Sequence, residues 1–182
     1  AKAGELLVHN HPSGWLEPSD ADLEVAASVY ESGAGFAIVD NEATSLYVVV
    51  DSAYAGRTVL EDRPANVQVI SRLRLDAALY AQPAPRQPGQ KGRPRRRGDR
   101  LPALQHLIAR RRRWTVLPLV LYGRAVTPRI FTFTALWYGA LRSQPVHIVV
   151  VRDPSRRRRD EAFFCTDLHR EAAFILETYS RR

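Results

Sequence analysis

The sequence contains no methionine and a single cysteine, Cys165. One cysteine excludes an intramolecular disulfide and fits a reducing compartment. With no methionine and an alanine at position 1, the 182 residues read as a fragment of something longer. No run of about 18 or more apolar residues occurs, which argues against a transmembrane helix. No basic-then-apolar leader opens the chain either, so the expected setting is cytoplasmic, with no membrane partner. Each sign of charge is also missing where the other is plentiful. Residues 1–50 hold one base, Lys2, against eight acids, whereas residues 51–182 hold 26 bases against 11 acids. The net charge of +8 conceals this division. The acidic part has no electrostatic reason to meet nucleic acid; the basic part has a strong one.

The pattern of apolar residues predicts a mixed α/β chain without internal repeats. Gly4 to Val8 reads as a short buried strand ending at His9. A loop marked by Pro12, Gly14 and Pro18 leads to Ser19, a helix N-cap, with Asp20 and Asp22 in the first turn, where the helix dipole favours acids. Leu23, Ala26, Ala27 and Tyr30 recur at helical spacing, and Gly33 and Gly35 stop the helix. Phe36–Val39 and Leu46–Val50 read as two strands around the polar turn Asn41 to Ser45. Beyond Asp51 a short helix over 56–61 precedes a strand over Val67–Ser71. Residues 82–102 carry five prolines, three glycines and seven bases, predicting a flexible basic loop. A helix over Leu101–Ile108 runs into Arg110, Arg111, Arg112 and Arg113. Strands follow at Thr115–Tyr122, Arg129–Trp137, Val146–Arg152 and Ala162–Thr166, and a helix spans Glu171–Arg182.

One spacing carries specific chemistry. His9, His11, Ser19 and Asp22 satisfy His-x-His-x7-Ser-x-x-Asp. Two histidines two apart at a strand end lie to one side, and a helix start can return Asp22 to them. Two imidazoles and a carboxylate leave the fourth position of a tetrahedral Zn²⁺ for water. Taken singly, Ser19 and Asp22 would be a cap and a dipole-complementing acid, and the histidines ordinary strand-end residues. The stretch HNHPSG…PSDAD, with GFAIVDNEATSLYVVV after it, resembles the JAB domain of RadC-like proteins, of the JAB/JAMM metalloprotease type. That resemblance covers residues 4–50 and implies His9, His11 and Asp22 as zinc ligands, with the Ser19 hydroxyl facing the metal-bound water. It also implies a general-base glutamate on an earlier strand. Glu5 stands on the motif's own strand, four residues before His9, and does not match it.

The basic part resembles another family. DSAYAGRTVLE, VQVISRLRLDAALYAQPAPRQPGQKGRPRRRGDRLP, TALWYGALRSQPVHIVVVRDP and EAFFCTDL…ILETYSRR are similar to DDE-superfamily transposases of bacterial insertion sequences. The similarity spans residues 51–182. It implies an RNase H-like fold, bacterial origin, and three carboxylates holding two Mg²⁺ ions for attack on a phosphodiester. Asp51 matches the second of those acids. Tyr179 to Arg182 match the opening of a signature whose glutamate is expected four residues further on, and the first aspartate is expected well upstream. Asp51 alone could equally cap the following turn; Asp76, Asp153 and Asp167 read as structural. The runs Arg95–Arg97, Arg110–Arg113 and Arg156–Arg159, near Trp114, Tyr122 and Trp137, read as a phosphate-contacting surface, with Arg93 joining them, rather than as solvated charge alone.

The sequence thus predicts a partial JAB sheet-and-helix unit (1–50) joined to a partial RNase H-like domain (51–182) with a β-rich insertion. The expected function is a DNA-binding transposase fragment with both active sites incomplete. DNA is the expected partner, and any oligomer would form through parts of a parent protein. The competing reading is a zinc-binding JAB module related to DNA repair with the basic part as passenger; a third is a chance fusion.

Overall fold

The computed structural model describes residues 6–11, 18–33, 35–40, 46–52, 55–61, 63–155 and 158–181. The chain divides into two compact units, residues 1–46 and 47–182.

In the first unit, β1 (Leu6–His11), α1 (Asp20–Glu31) and β2 (Gly35–Asp40) form a strand–helix–strand crossover. β1 and β2 pair in parallel, from Leu6 opposite Gly35 to His11 opposite Asp40, which a helical connection permits and a tight hairpin does not. The polar turn expected over 41–45 lies outside the described residues. α1 ends where Gly33 enters the left-handed region at φ 75° and donates to the Tyr30 carbonyl at 2.9 Å, as helix-terminating glycines do. The helix buries a different face from the expected one. Asp22 and Val29 are buried, whereas Leu23 and Tyr30 are 53% and 82% exposed.

The second unit is built on a six-stranded sheet. Its strands are β3 (Leu46–Val50), β4 (Val67–Leu73), β5 (Thr115–Val116), β8 (Arg129–Leu136), β9 (Pro145–Arg152) and β10 (Glu161–Cys165), in the order β3-β4-β10-β9-β8-β5. β6 (Leu119–Leu121) and β7 (Arg124–Val126) make a separate hairpin. Its turn places Tyr122 and Gly123 at φ 52° and 71°, the positive values that two-residue hairpins require. The single strand expected over Thr115–Tyr122 is thus broken in two, with Pro118 between the pieces.

Helices α2 (Arg57–Glu61), α3 (Leu104–Arg110) and α4 (Tyr138–Leu141) cover one face of this sheet, and α5 (Ala172–Ser180) with β6 covers the other. Alternation along β9 feeds both layers. Val146, Ile148 and Val150 join Leu60, Leu104 and Ile108, while Val149 and Val151 join Leu119, Ile175 and Tyr179. A strand buried on both sides reads as a continuous apolar run, as Val146–Val151 does.

The basic stretch 82–102 is anchored at its base. Tyr80 bridges both Arg100 and Leu136. Ala81 donates to the Asp99 carbonyl at 2.9 Å, Gly98 to Ala81 at 2.8 Å and Leu101 to Leu79 at 2.8 Å. The expected free basic loop is therefore closed at its neck by backbone hydrogen bonds.

Ile148 is fully buried, so Ile148→Ala should cost about 2–5 kcal/mol of stability. The check is a lower urea midpoint with an unchanged denaturant slope.

Candidate functional site

The residues expected from the sequence to carry chemistry fall into three groups. In the first unit, Ser19 and Asp22 meet at the start of α1. The Ser19 amide donates to Asp22 Oδ2 at 2.8 Å, the Ser19 hydroxyl donates to the same oxygen at 2.5 Å, and the Asp22 amide donates to Ser19 Oγ at 3.3 Å. This reciprocal capping box satisfies donors that the first helical turn leaves orphaned. It also fixes the buried Asp22 carboxylate at the head of the helix. His9 and His11 occupy alternate positions on β1, opposite Ile38 and Asp40; their side chains, and Glu5, lie outside the described residues.

In the second unit the carboxylates are spread along the sheet's ends. Asp51 follows β3, is exposed, and accepts a hydrogen bond from the Ser52 hydroxyl at 3.0 Å. Asp167 follows β10 and accepts from the Tyr47 hydroxyl and, at 2.9 Å, from the His169 amide. Arg170 donates to the same Tyr47 oxygen and lies 4.8 Å over the Tyr47 ring and 4.9 Å over Phe174. Burial works against the Asp167 charge, but the Tyr47 and His169 hydrogen bonds and Arg170 outweigh it and hold the carboxyl below its usual range. Burial pushes the Tyr47 hydroxyl up.

This knot settles where Asp51 stands. Tyr47 is the second residue of β3, and Asp51 follows four residues on, about 13 Å along an extended strand. Asp167 is therefore at one end of the strand and Asp51 at the other. Other acids are held separately: Arg74 holds Asp76 at 2.7 Å, Arg152 holds Asp160 at 2.8 Å, and Arg72 pairs with Glu161. Asp153 accepts from the Ser155 amide and hydroxyl at 2.9 and 2.7 Å. Among the described residues no three His, Cys, Asp or Glu side chains converge to hold a metal ion. They do not fit a two-metal, three-carboxylate centre, and no catalytic step follows from them.

The arginines form the third group. Arg93, Arg95, Arg96, Arg97, Arg110, Arg111, Arg112 and Arg113 are all exposed, but two of them are engaged within the fold. The Arg97 guanidinium lies 4.3 Å over the Tyr80 ring and 4.8 Å over Tyr138. Arg111 sits 4.8 Å over Phe131 and donates to the Arg113 carbonyl at 2.8 Å. Trp114, anticipated as a neighbour of phosphate-contacting arginines, packs edge-on against Phe131 and carries Arg152 at 4.5 Å. Of the run 156–159, Arg158 and Arg159 are exposed and the first two lie outside the described residues. Nothing local in the sequence marks Tyr47, Tyr80 or Tyr138, because the side chains that engage them lie far along the chain.

A six-stranded sheet layered by helices on both faces, with an aspartate at the end of an outer strand, is a mixed α/β architecture consistent with an RNase H-like fold. The family model described as DDE superfamily endonuclease matches residues 36–144, more than half of the chain. The chain belongs to that family. Residues 2–41 match the RadC-like JAB domain, and the two matches share residues 36–41. No curated protein matches the chain. No solved structure does either. No helix among the described residues is long and apolar enough to cross a membrane.

Two outcomes follow from the Asp167 knot and its neighbour. Because the folded Asp167 pKa is depressed, the stability it contributes is complete above the unfolded value near 4 and is lost as pH falls through the folded value. Asp167→Asn should therefore flatten the fall in urea midpoint below about pH 5; an unchanged profile would exclude the linkage. Cys165 is fully buried, and burial pushes its thiol up to about 11. At pH 8 it should react with a thiol reagent only as fast as the protein unfolds.

Proposed function

We propose that the second unit is a DNA-binding piece of a DDE transposase that lacks a complete catalytic centre. The observation that carries this is the family match together with a surface of exposed arginines, among them Arg93, Arg95, Arg96, Arg110, Arg112 and Arg113. Among the described residues none of these six pairs with a carboxylate. Such a surface neutralises backbone phosphates and releases counterions, so binding is governed by charge more than by base sequence. Mg²⁺ would be the metal of the parent family's chemistry, with Asp51 its one matching ligand here. The dispersal of the other acids supports an inactive centre. Binding to random-sequence duplex DNA should weaken steeply with salt. Replacing Arg93, Arg95 and Arg96 by Gln should lower the log–log salt slope by about 0.9 for each phosphate that is no longer neutralised. No Mg²⁺-dependent strand cleavage is expected. Salt-insensitive binding, or none at low ionic strength, would overturn the reading.

A second reading rests on the match of residues 2–41 to the RadC-like JAB domain. Here the chain is a fusion of two truncated pieces, and His9, His11 and Asp22 hold one Zn²⁺ with Ser19 beside the metal-bound water. The capping box supports it only in fixing Asp22 at the head of α1. Equilibrium dialysis followed by metal analysis should give one zinc per chain, lost in His9→Ala and in His11→Ala. Peptide and isopeptide substrates should remain uncut with zinc bound, since Glu5 does not match the general base. Zinc binding that survives both substitutions would remove the site.

A further inference from the structure

We propose that Arg97 and Gly98 are positioning residues that hold the loop 82–98 as a preformed phosphate cradle, and that Arg97 itself does not contact DNA. This rests on the DNA-binding reading above and divides the labour among its arginines. The loop bows around a polar hollow of about 1020 Å³, and two of its own guanidiniums are spent on its shape. Arg86 donates across the loop to the Gln90 and Gly92 carbonyls, each at 3.1 Å. Arg97 sits in the corner between Tyr80 and Tyr138 at the neck, over both rings, which meet edge-on at 69°. Tyr80 exchanges backbone hydrogen bonds with Leu136 at 2.9 and 2.8 Å, so this stack fastens the loop to the end of β8. A planar guanidinium adds flat stacking on a ring to its cation–π attraction, and a lysine ammonium keeps only the attraction.

Gly98 makes the closure possible for a steric reason. A Cβ at this position would stand 2.7 Å from the Gln82 carbonyl oxygen and 3.0 Å from that of Ala81. Both are backbone atoms, so the two strands of the neck would have to part. With the neck shut, Lys91, Arg93, Arg95 and Arg96 are the exposed bases left on the loop, and among the described residues no carboxylate pairs with them. A cradle shaped before binding avoids the ordering cost that a free loop of this length would incur.

Charge and shape can be tested apart in the full chain. Arg97→Lys keeps the charge and loses the stack; Gly98→Ala keeps every charge and opens the neck. Both should bind duplex DNA about three- to tenfold more weakly at an unchanged salt slope, whereas Arg95→Gln and Arg96→Gln should each lower that slope by about 0.9. A lysine-specific protease supplies a readout independent of DNA, because Lys91 is the chain's one lysine besides Lys2. Cutting at Lys91–Gly92 should speed up in Arg97→Ala and Gly98→Ala, with the circular dichroism of the fold unchanged. Unchanged cutting would remove the pin whatever DNA does. Full affinity in Arg97→Lys, with a lowered slope in Arg97→Gln, would make Arg97 a phosphate contact and overturn the proposal. Faster cutting with unaltered DNA binding would show that the loop's shape does not serve DNA. If Arg93, Arg95 and Arg96 can be neutralised without any effect on binding, the DNA reading of this loop fails, while the cutting assay still decides the pin.

Discussion

The second unit depends on β9 being buried on both sides. Its side chains alternate between two apolar layers, so the helices on one face and the terminal helix on the other are organised by the same eight residues. Full burial of Val146, Ile148, Val149 and Val150 leaves the polar chemistry to strand ends and loops, where water remains available. That constraint fits the distribution of carboxylates: Asp51, Asp153, Asp160 and Asp167 sit next to strand ends, and each is engaged by a neighbouring arginine, hydroxyl or amide.

How far the sequence reveals this depends on where each signal's partner lies. The run Val146–Val151 is legible because double-sided burial leaves an unbroken apolar stretch, and Ser19 is legible because capping is local. The parallel pairing of β1 with β2 is not, since Phe36–Val39 looks the same whichever strand it joins. Leu23 and Tyr30 have helical spacing, but spacing alone does not say which face is covered. α4 is four residues long, too short to leave a periodicity, and the Tyr122–Gly123 turn hides inside a run of β-formers.

The candidate sites divide in the same way. Residue types and spacing single out His9, His11, Ser19 and Asp22 as candidates, because a ligand motif is defined by chemistry and separation along the chain, whereas Asp51 is singled out by the family resemblance. What a side chain is already doing in the fold is invisible at that level. Arg97 looks like its neighbours in a run of arginines, yet Tyr80 and Tyr138 from distant segments claim it. Asp167 looks like one more turn aspartate until Tyr47 and Arg170 meet around it.

The Tyr47–Asp167 hydrogen bond joins residues 120 positions apart, and this span bears on how the unit comes into being. Contacts of such long range are expensive to nucleate and form late. β3 and β4 can meet early, since only the short segment carrying α2 separates them, but β10, which lies between β4 and β9, is made last among the strands. During synthesis β4 and β9 must wait for the strand that joins them. The order of manufacture, rather than final stability, therefore sets the interval in which this protein is most exposed to aggregation.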